Sequence, residues 1–306
     1  MSNSCYSIGG QAVLEGVMMK GVHEYAVAVR APEGNIITEL TTYESLSSRH
    51  RILGIPFLRG IINFGESMYI GMKTLTYSAD IGMTEEERAA EKEHTPFVNK
   101  LMLTGTVIFS IVLALAIFIV IPTLLATLLS WWIASPWVVN LLEGLIRMLI
   151  FLGYIILISR MKDIQRVFEY HGAEHKTINC YESGKELTPE QAKGCTRLHR
   201  RCGTSFLFIV MFVSILFFMV IQVPNPLLKI VYRLALVPVV ASVSYEILKL
   251  SAKYDNRFLR ALVWPGLLLQ RLTTREPDEE ELEVAIASFK AVLEKEIEHD
   301  HPGKTV

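Results

Sequence analysis

From Leu101 to Leu129 the chain carries no ionisable residue, and at about 1.5 Å per residue such a helix exceeds the roughly 30 Å of a hydrocarbon core. Trp131, Trp132 and Trp137 cluster around Ser135-Pro136, as expected where a short turn meets lipid headgroups. A second apolar run returns through Trp137 to Ile158, with Glu143 and Arg147 inside it. Phe206 to Val223 and Leu227 to Leu250 repeat the arrangement around Pro224-Asn225-Pro226, with Arg233 and Glu246 inside the last run. The pattern predicts an α-helical polytopic membrane protein with two transmembrane hairpins and four spans. Charges inside spans are costly in lipid, so these four should face the bundle in pairs, Glu143 and Arg147 closing locally at i,i+4.

The flanking segments have other periods. Gly9 to Gly21 is an apolar run with glycines at both ends, and Tyr25 to Ala31 and Ile36 to Leu40 flank Pro32-Glu33-Gly34-Asn35. These read as strands and a hairpin, giving a small N-terminal α+β domain over residues 1–50 that lies against the membrane part. Within residues 51–100, Ile61, Phe64, Met68 and Leu75 keep helical spacing while Arg59, Glu66 and Lys73 subdivide the run. An interfacial amphipathic helix is expected there rather than a fifth span, followed by a charged linker at Thr84 to His94. The hairpins occupy 101–159 and 206–250. In 251–306, Ala261 to Leu272 is too short to cross and is interrupted by Trp264-Pro265-Gly266, so it should lie in the interface or re-enter. An amphipathic helix with Leu282, Ile286, Phe289, Val292 and Leu293 on its stripe then begins after Pro277 and should dock on the N-terminal domain.

Composition agrees with a bilayer. Hydrophobic residues make up 51% of the chain and mean hydropathy is +0.35. A net charge of −1 offers nothing that would recruit nucleic acid. The N-terminus lacks the basic head and unbroken apolar core of a cleavable signal. Residues 160–205, between the hairpins, hold nine Lys and Arg from Arg160 to Arg201, whereas Ser130 to Pro136 and Gln222 to Leu228 hold none. By the positive-inside rule this segment and both termini face the cytosol across the cell membrane. Cysteines there should be thiols.

That segment carries the candidate chemistry. His171-Gly172-Ala173-Glu174-His175 has the H-x-x-E-H order of the inverted zinc hydrolases, in which two histidines bind zinc and the glutamate polarises water. Ile164, Val167, Phe168, His171, His175 and Ile178 share one helical face, which would bury both imidazoles and oblige each to find a partner. Cys195, His199 and Cys202 fall at i, i+4 and i+7, another single helical face carrying soft and borderline ligands. His171, His175, His199 and Cys202 are the candidate zinc ligands and Glu174 the candidate catalytic base. The bland alternative has both histidines satisfied in a core and Glu174 paired with Lys176 or Arg166. Cys195 is a further ligand or a small buried residue, Cys180 is packing, Gly172 admits a close backbone or a substrate, and Glu15 is an outside candidate for a ligand or second base.

Gly9 to Gly21, Pro56-Phe57-Leu58-Arg59-Gly60, Tyr170 to Lys176, Leu198 to Phe206 and Pro265-Gly266-Leu267 to Pro277 together resemble the bacterial YqhQ-like family, described as predicted metal-dependent membrane enzymes of uncharacterised function. The resemblance spans nearly the whole chain and implies a membrane protein with a metal site, without a reaction; His171, Glu174, His175, His199 and Cys202 match its motif positions and Cys195 does not. Three functions are open at this point. The first is a zinc hydrolase at the cytosolic membrane surface acting on a peptide or a lipid-linked amide or ester. The second is a metal-stapled scaffold that binds a partner without catalysis, and the third a transporter using the intramembrane charges, which could also form an oligomer contact.

Overall fold

The computed structural model describes residues 6–50, 52–83, 96–223, 225–254 and 256–300, with backbone alone at 96–100, 252 and 253. The expected linker at Thr84 to His94 lies outside the described residues.

Four strands, β1 (Gly9–Val13), β2 (Gly16–Lys20), β3 (Glu24–Arg30) and β4 (Ile36–Thr42), form an antiparallel meander in sequence order. Arg30 pairs with Ile36, so the predicted hairpin is present, and the glycine-bounded run Gly9 to Gly21 forms two strands that pair from Gly9 with Lys20 to Val13 with Gly16. Successive side chains point to opposite faces of a strand. Here both faces of the middle strands are covered. Val17, Met19, Ala26 and Ala28 pack against α6 (Lys162–Glu182) and α11 (Glu279–Asp300), while Val13, Met18, Tyr25, Val27 and Val29 pack against Ile70 and Tyr77 of α2 (Leu58–Gly82).

The C-terminal helix docks as its stripe predicts, with Leu282, Ile286, Phe289 and Val292 buried. Asp278 and Glu281 begin it reciprocally: the Glu281 N–H donates to Asp278 Oδ1 at 2.9 Å and the Asp278 N–H to Glu281 Oε2 at 3.0 Å, a capping box that satisfies two otherwise orphaned groups. Ser288 accepts from the Met19 N–H and donates to the Ala26 carbonyl, joining this helix to two strands. A four-residue turn, α1 (Leu46–Arg49), precedes α2.

Among the described residues four helices are long and apolar enough to cross a membrane: Leu101–Leu129, Pro136–Ile158, Gly203–Val220 and Pro226–Ser251. The first comprises α3 (Pro96–Leu115), a π-helical turn at Ala116–Val120 and α4 (Ile121–Leu129). The others are α5 (Pro136–Ile158), α8 (Gly203–Val220) and α9 (Pro226–Lys253). Helix α2 runs from Leu58 to Gly82 with Ile61, Phe64, Met68 and Leu75 exposed as one apolar stripe. Its Arg59 makes a two-pronged pair with Glu246 of α9 at 2.6 and 2.8 Å.

Two expectations need correction. Trp264-Pro265-Gly266 does not break the last apolar stretch, which forms the continuous helix α10 (Arg257–Thr273). It lies close against α8 because Gly266 has no side chain: a Cβ there would come within 2.8 Å of Ser205 Cα. Arg233 and Glu246 are not partners either. Glu246 takes Arg59 from α2, and Arg233 reaches Glu143 across the bundle. Glu143 and Arg147 do close locally, at 3.3 Å, but that contact is one of three that Glu143 makes with cations.

Candidate metal centre

Helix α6 supplies three of the candidate residues. It begins at Lys162, and from Tyr170 to Ile178 it is buried on nearly every side except at His171, which is half-buried. The predicted single apolar face is therefore incomplete as a description: β1 and β2, α11 and the 194–202 loop enclose the helix all round. Gly172 is what permits this, since a Cβ there would lie 2.0 Å from the Arg275 carbonyl oxygen. The close neighbour anticipated at Gly172 is a backbone.

His171 Nδ1 lies 2.8 Å from the Thr273 carbonyl and His175 Nδ1 lies 2.6 Å from the Arg197 carbonyl. A carbonyl only accepts, so each Nδ1 carries the proton and each Nε2 presents a lone pair, the orientation that metal-binding histidines need from their surroundings. Cys202 Sγ is 3.1 Å from His171 Nε2, and one donor atom from each of His171, His175 and Cys202 lies within 4.8 Å of the others. His175 Nε2 is buried with no hydrogen-bond partner, and so is Glu174 Oε2. Burying an unpaired polar atom costs on the order of 1–3 kcal/mol, so each of the two calls for a partner. Two imidazoles and a thiol suit a zinc-class cation. The residues present fit the group.

The stretch containing Cys195, His199 and Cys202 is not a helix. Thr188 caps a short helix, α7 (Pro189–Lys193), the chain then runs irregularly, and Cys202 itself caps α8 by accepting from the Thr204 N–H. His199 is fixed by Gln270, whose amide accepts from its N–H at 2.9 Å and donates to its carbonyl at 2.8 Å. Its ring centroid stays 5.7 Å from that of His175, and its Nε2 faces Glu182 Oε2 at 3.5 Å. The structure thus brings together His171, His175 and Cys202, places Glu174 on the same helix with its side chain against Gly10 of β1, and turns His199 Nε2 toward Glu182. Cys195 faces the Gln191 carbonyl and Lys185, away from the cluster. Cys180 is buried, as expected of packing, and donates to the Glu186 carbonyl. Glu15, at φ 48°, forms the β1–β2 turn and is held by Arg166 and the Tyr170 hydroxyl.

The bland pairings of Glu174 do not form. Lys176 binds the Lys193 carbonyl and Glu276, and Arg166 binds Glu15 and Glu281. Burial pushes the Glu174 carboxyl up, against the opposing pull of His171, His199 and the Gly10 N–H. Burial likewise pushes His175 down, aided by His171 and opposed by Cys202. His199, with Arg201, holds the Glu182 carboxyl below its usual range.

Sequence reasoning missed Gly10, Arg197, Gln270 and Thr273. Gly10 left a signal in the Gly9-Gly10 doublet: a Cβ at Gly10 would meet Glu174 Cγ at 2.9 Å. The two carbonyls left none, because any residue type supplies one.

A family model described as a protein of unknown function, DUF1385, matches residues 55–295. The chain belongs to the DUF1385 family. An uncharacterised Bacillus subtilis protein, YqhQ, is 37% identical over 299 residues, covering 94% of this chain and 92% of that protein, as the YqhQ-like resemblance of the motifs implied. No solved structure matches. The DUF1385 match covers α2, the four long helices and the helix bearing His171 and His175, and it ends inside α11; all four strands precede it.

Proposed function

We propose that this DUF1385 protein is a membrane-embedded hydrolase whose zinc-class cation is held by His171, His175 and Cys202. In this reading the four apolar helices cross the cell membrane, and the basic 160–205 segment, the sheet and both termini lie in the cytosol. The observation that carries the reading is the pair of buried, partnerless acceptors, His175 Nε2 and Glu174 Oε2. Three protein ligands leave a fourth position, the difference between a reactive and a closed zinc site.

When bound, such a cation supplies Lewis-acid polarisation of a water and of a substrate carbonyl. The chain's own residues do the rest. The Thr273 and Arg197 carbonyls hold both imidazoles in the tautomer that presents Nε2. Glu174 Oε2 takes a proton from the attacking water and returns it to the leaving group, a role suited to a carboxyl raised by burial. A peptide or a lipid-linked amide or ester fits a site beside a bilayer.

Burial also favours a second reading. Glu174, His175 and Cys202 are buried, and the ligands and carbonyls come from α6, the 194–202 loop and the end of α10, which is how a metal staple would join the soluble part to the bundle. The two readings separate on Glu174→Gln. The hydrolase reading predicts cleavage of chromogenic acyl esters and peptide amides in mixed micelles, removed by chelation, restored by zinc, and lowered about 10²–10⁴-fold in Glu174→Gln with zinc still bound. Undiminished cleavage in that variant would overturn the base. An inactive wild-type protein that unfolds when its zinc is removed would favour the staple.

A further inference from the structure

Gly203 follows Cys202 directly, and α8 ends at Val220, so its far end lies about 27 Å from the candidate metal centre at 1.5 Å per residue. A second buried polar cluster sits toward that end. Glu143 Oε2 receives Lys229 Nζ at 3.1 Å, and its Oε1 receives Arg147 at 3.3 Å and Arg233. Relative exposures are 0% for Glu143, 3% for Arg147, 8% for Lys229 and 0% for Arg233. Hydrogen bonding is partly provided for: the π-helical turn lets the Phe118 carbonyl accept from Arg147 Nε at 2.8 Å, and Thr123 accepts from Arg233 at 2.7 Å. Phe218 also lies against both guanidiniums, at 4.9 and 5.3 Å. None of these partners carries negative charge. Three cations therefore share one carboxylate, and Arg233 Nε has no partner. A buried charge without compensation is strongly unfavourable.

A cavity of about 320 Å³ adjoins the cluster. Lys229, Asn140 and Val139 line its buried part, Ile221 its wall, and Ser130 and Gln222 its exposed mouth. We propose that this cavity binds a phosphate-bearing ligand whose oxyanion sits on Lys229 and offsets the excess positive charge of the cluster. Three basic side chains on one carboxylate match an oxyanion with several acceptor oxygens better than a halide. The volume exceeds what a halide needs, and hydroxyl and amide groups at the mouth suit several phosphate oxygens. The phosphate could be free in solution or carried by a lipid headgroup, the chemistry being the same.

The test uses the full chain in detergent, following thermal unfolding while titrating inorganic phosphate, short-chain phosphatidic acid or zwitterionic short-chain phosphatidylcholine at constant ionic strength. Saturable stabilisation by phosphate or phosphatidic acid, absent with phosphatidylcholine, is expected; response to phosphate identifies a solute source and response to phosphatidic acid alone a headgroup. In Lys229→Gln the apparent affinity should fall about ten-fold or more, the scale of one charge-assisted hydrogen bond. Because that variant alters the ion cluster, Ala134→Trp serves as a second: it fills the exposed mouth of the cavity without touching the charges, and should abolish the response while leaving the ligand-free midpoint in place. No stabilisation by either phosphate probe, or an undiminished response in Ala134→Trp, would overturn the proposal.

Discussion

At one end of the long helices His175 Nε2 and Glu174 Oε2 are buried acceptors with no donor, and toward the other end three buried cations share the carboxylate of Glu143. Both clusters are enclosed and both are incomplete, in opposite senses. The first has lone pairs to give and fits a cation; the second has charge to neutralise and fits an anion. The surroundings differ as well. His171 and His175 are steered by backbone carbonyls, which fix a tautomer without adding charge. Glu143 instead ties α5 to α9 through ion pairs that also set helix positions. The first cluster is therefore expected to lose ligand before fold, and the second to lose fold before ligand.

Glu143→Gln probes that asymmetry most severely. It leaves three buried cations with no carboxylate, and removing one side of a buried pair costs about 3–5 kcal/mol, read as the loss of folded protein in a detergent unfolding titration. His175→Ala should be the converse: near-native unfolding in chelator, with zinc affinity, measured against a competing dye, reduced beyond the roughly 10–100-fold that loss of an outer-shell partner costs. A His175→Ala protein that fails to fold without metal present would erase the distinction between the clusters. Gly172→Ala sharpens it by disturbing the metal centre through packing alone. The new methyl group meets the Arg275 carbonyl, and overpacking costs about 1–3 kcal/mol, so stability should fall along with zinc affinity.

The smallest effect concerns pH. Glu281, buried at the start of α11, has its carboxyl pushed up to about 7 by burial, partly opposed by its bond from the Asp278 N–H. A carboxyl raised in the folded state stabilises fully below its unfolded value, near 4.5, and this contribution is lost as pH rises through about 7. Glu281→Gln should thus raise the thermal midpoint relative to wild type at pH 8 and leave it unchanged near pH 5. Equal differences at both pH values would contradict the shifted carboxyl.

What could be read from the sequence was what depends on near neighbours. The first strands follow from the glycines bounding Gly9 to Gly21, the β3–β4 hairpin from Pro32-Glu33-Gly34-Asn35 between two apolar runs, the apolar helices from length, and His171 with His175 from a four-residue spacing that any helix brings together. The 194–202 stretch misled because i, i+4, i+7 spacing means a shared face only in a helix. Here Gln270, 71 positions away, holds His199 in an irregular loop. The intramembrane pairings were hidden for the same reason: Glu143 could be matched to Arg147 by spacing, but the long side chains of Lys229 and Arg233 reach it only once α9 is set beside α8 and α4. Arg59 reaches Glu246 only because α2 lies against α9.

The central claim is that His171, His175 and Cys202 hold a cation. Elemental analysis of the detergent-purified chain beside its His171→Ala, His175→Ala variant tests it most directly. About one zinc-class ion per chain is expected in the wild type and none in the variant, since affinity depends on both imidazoles. A metal-free wild type that also fails to take up added zinc, or a variant that retains the full complement, would contradict it.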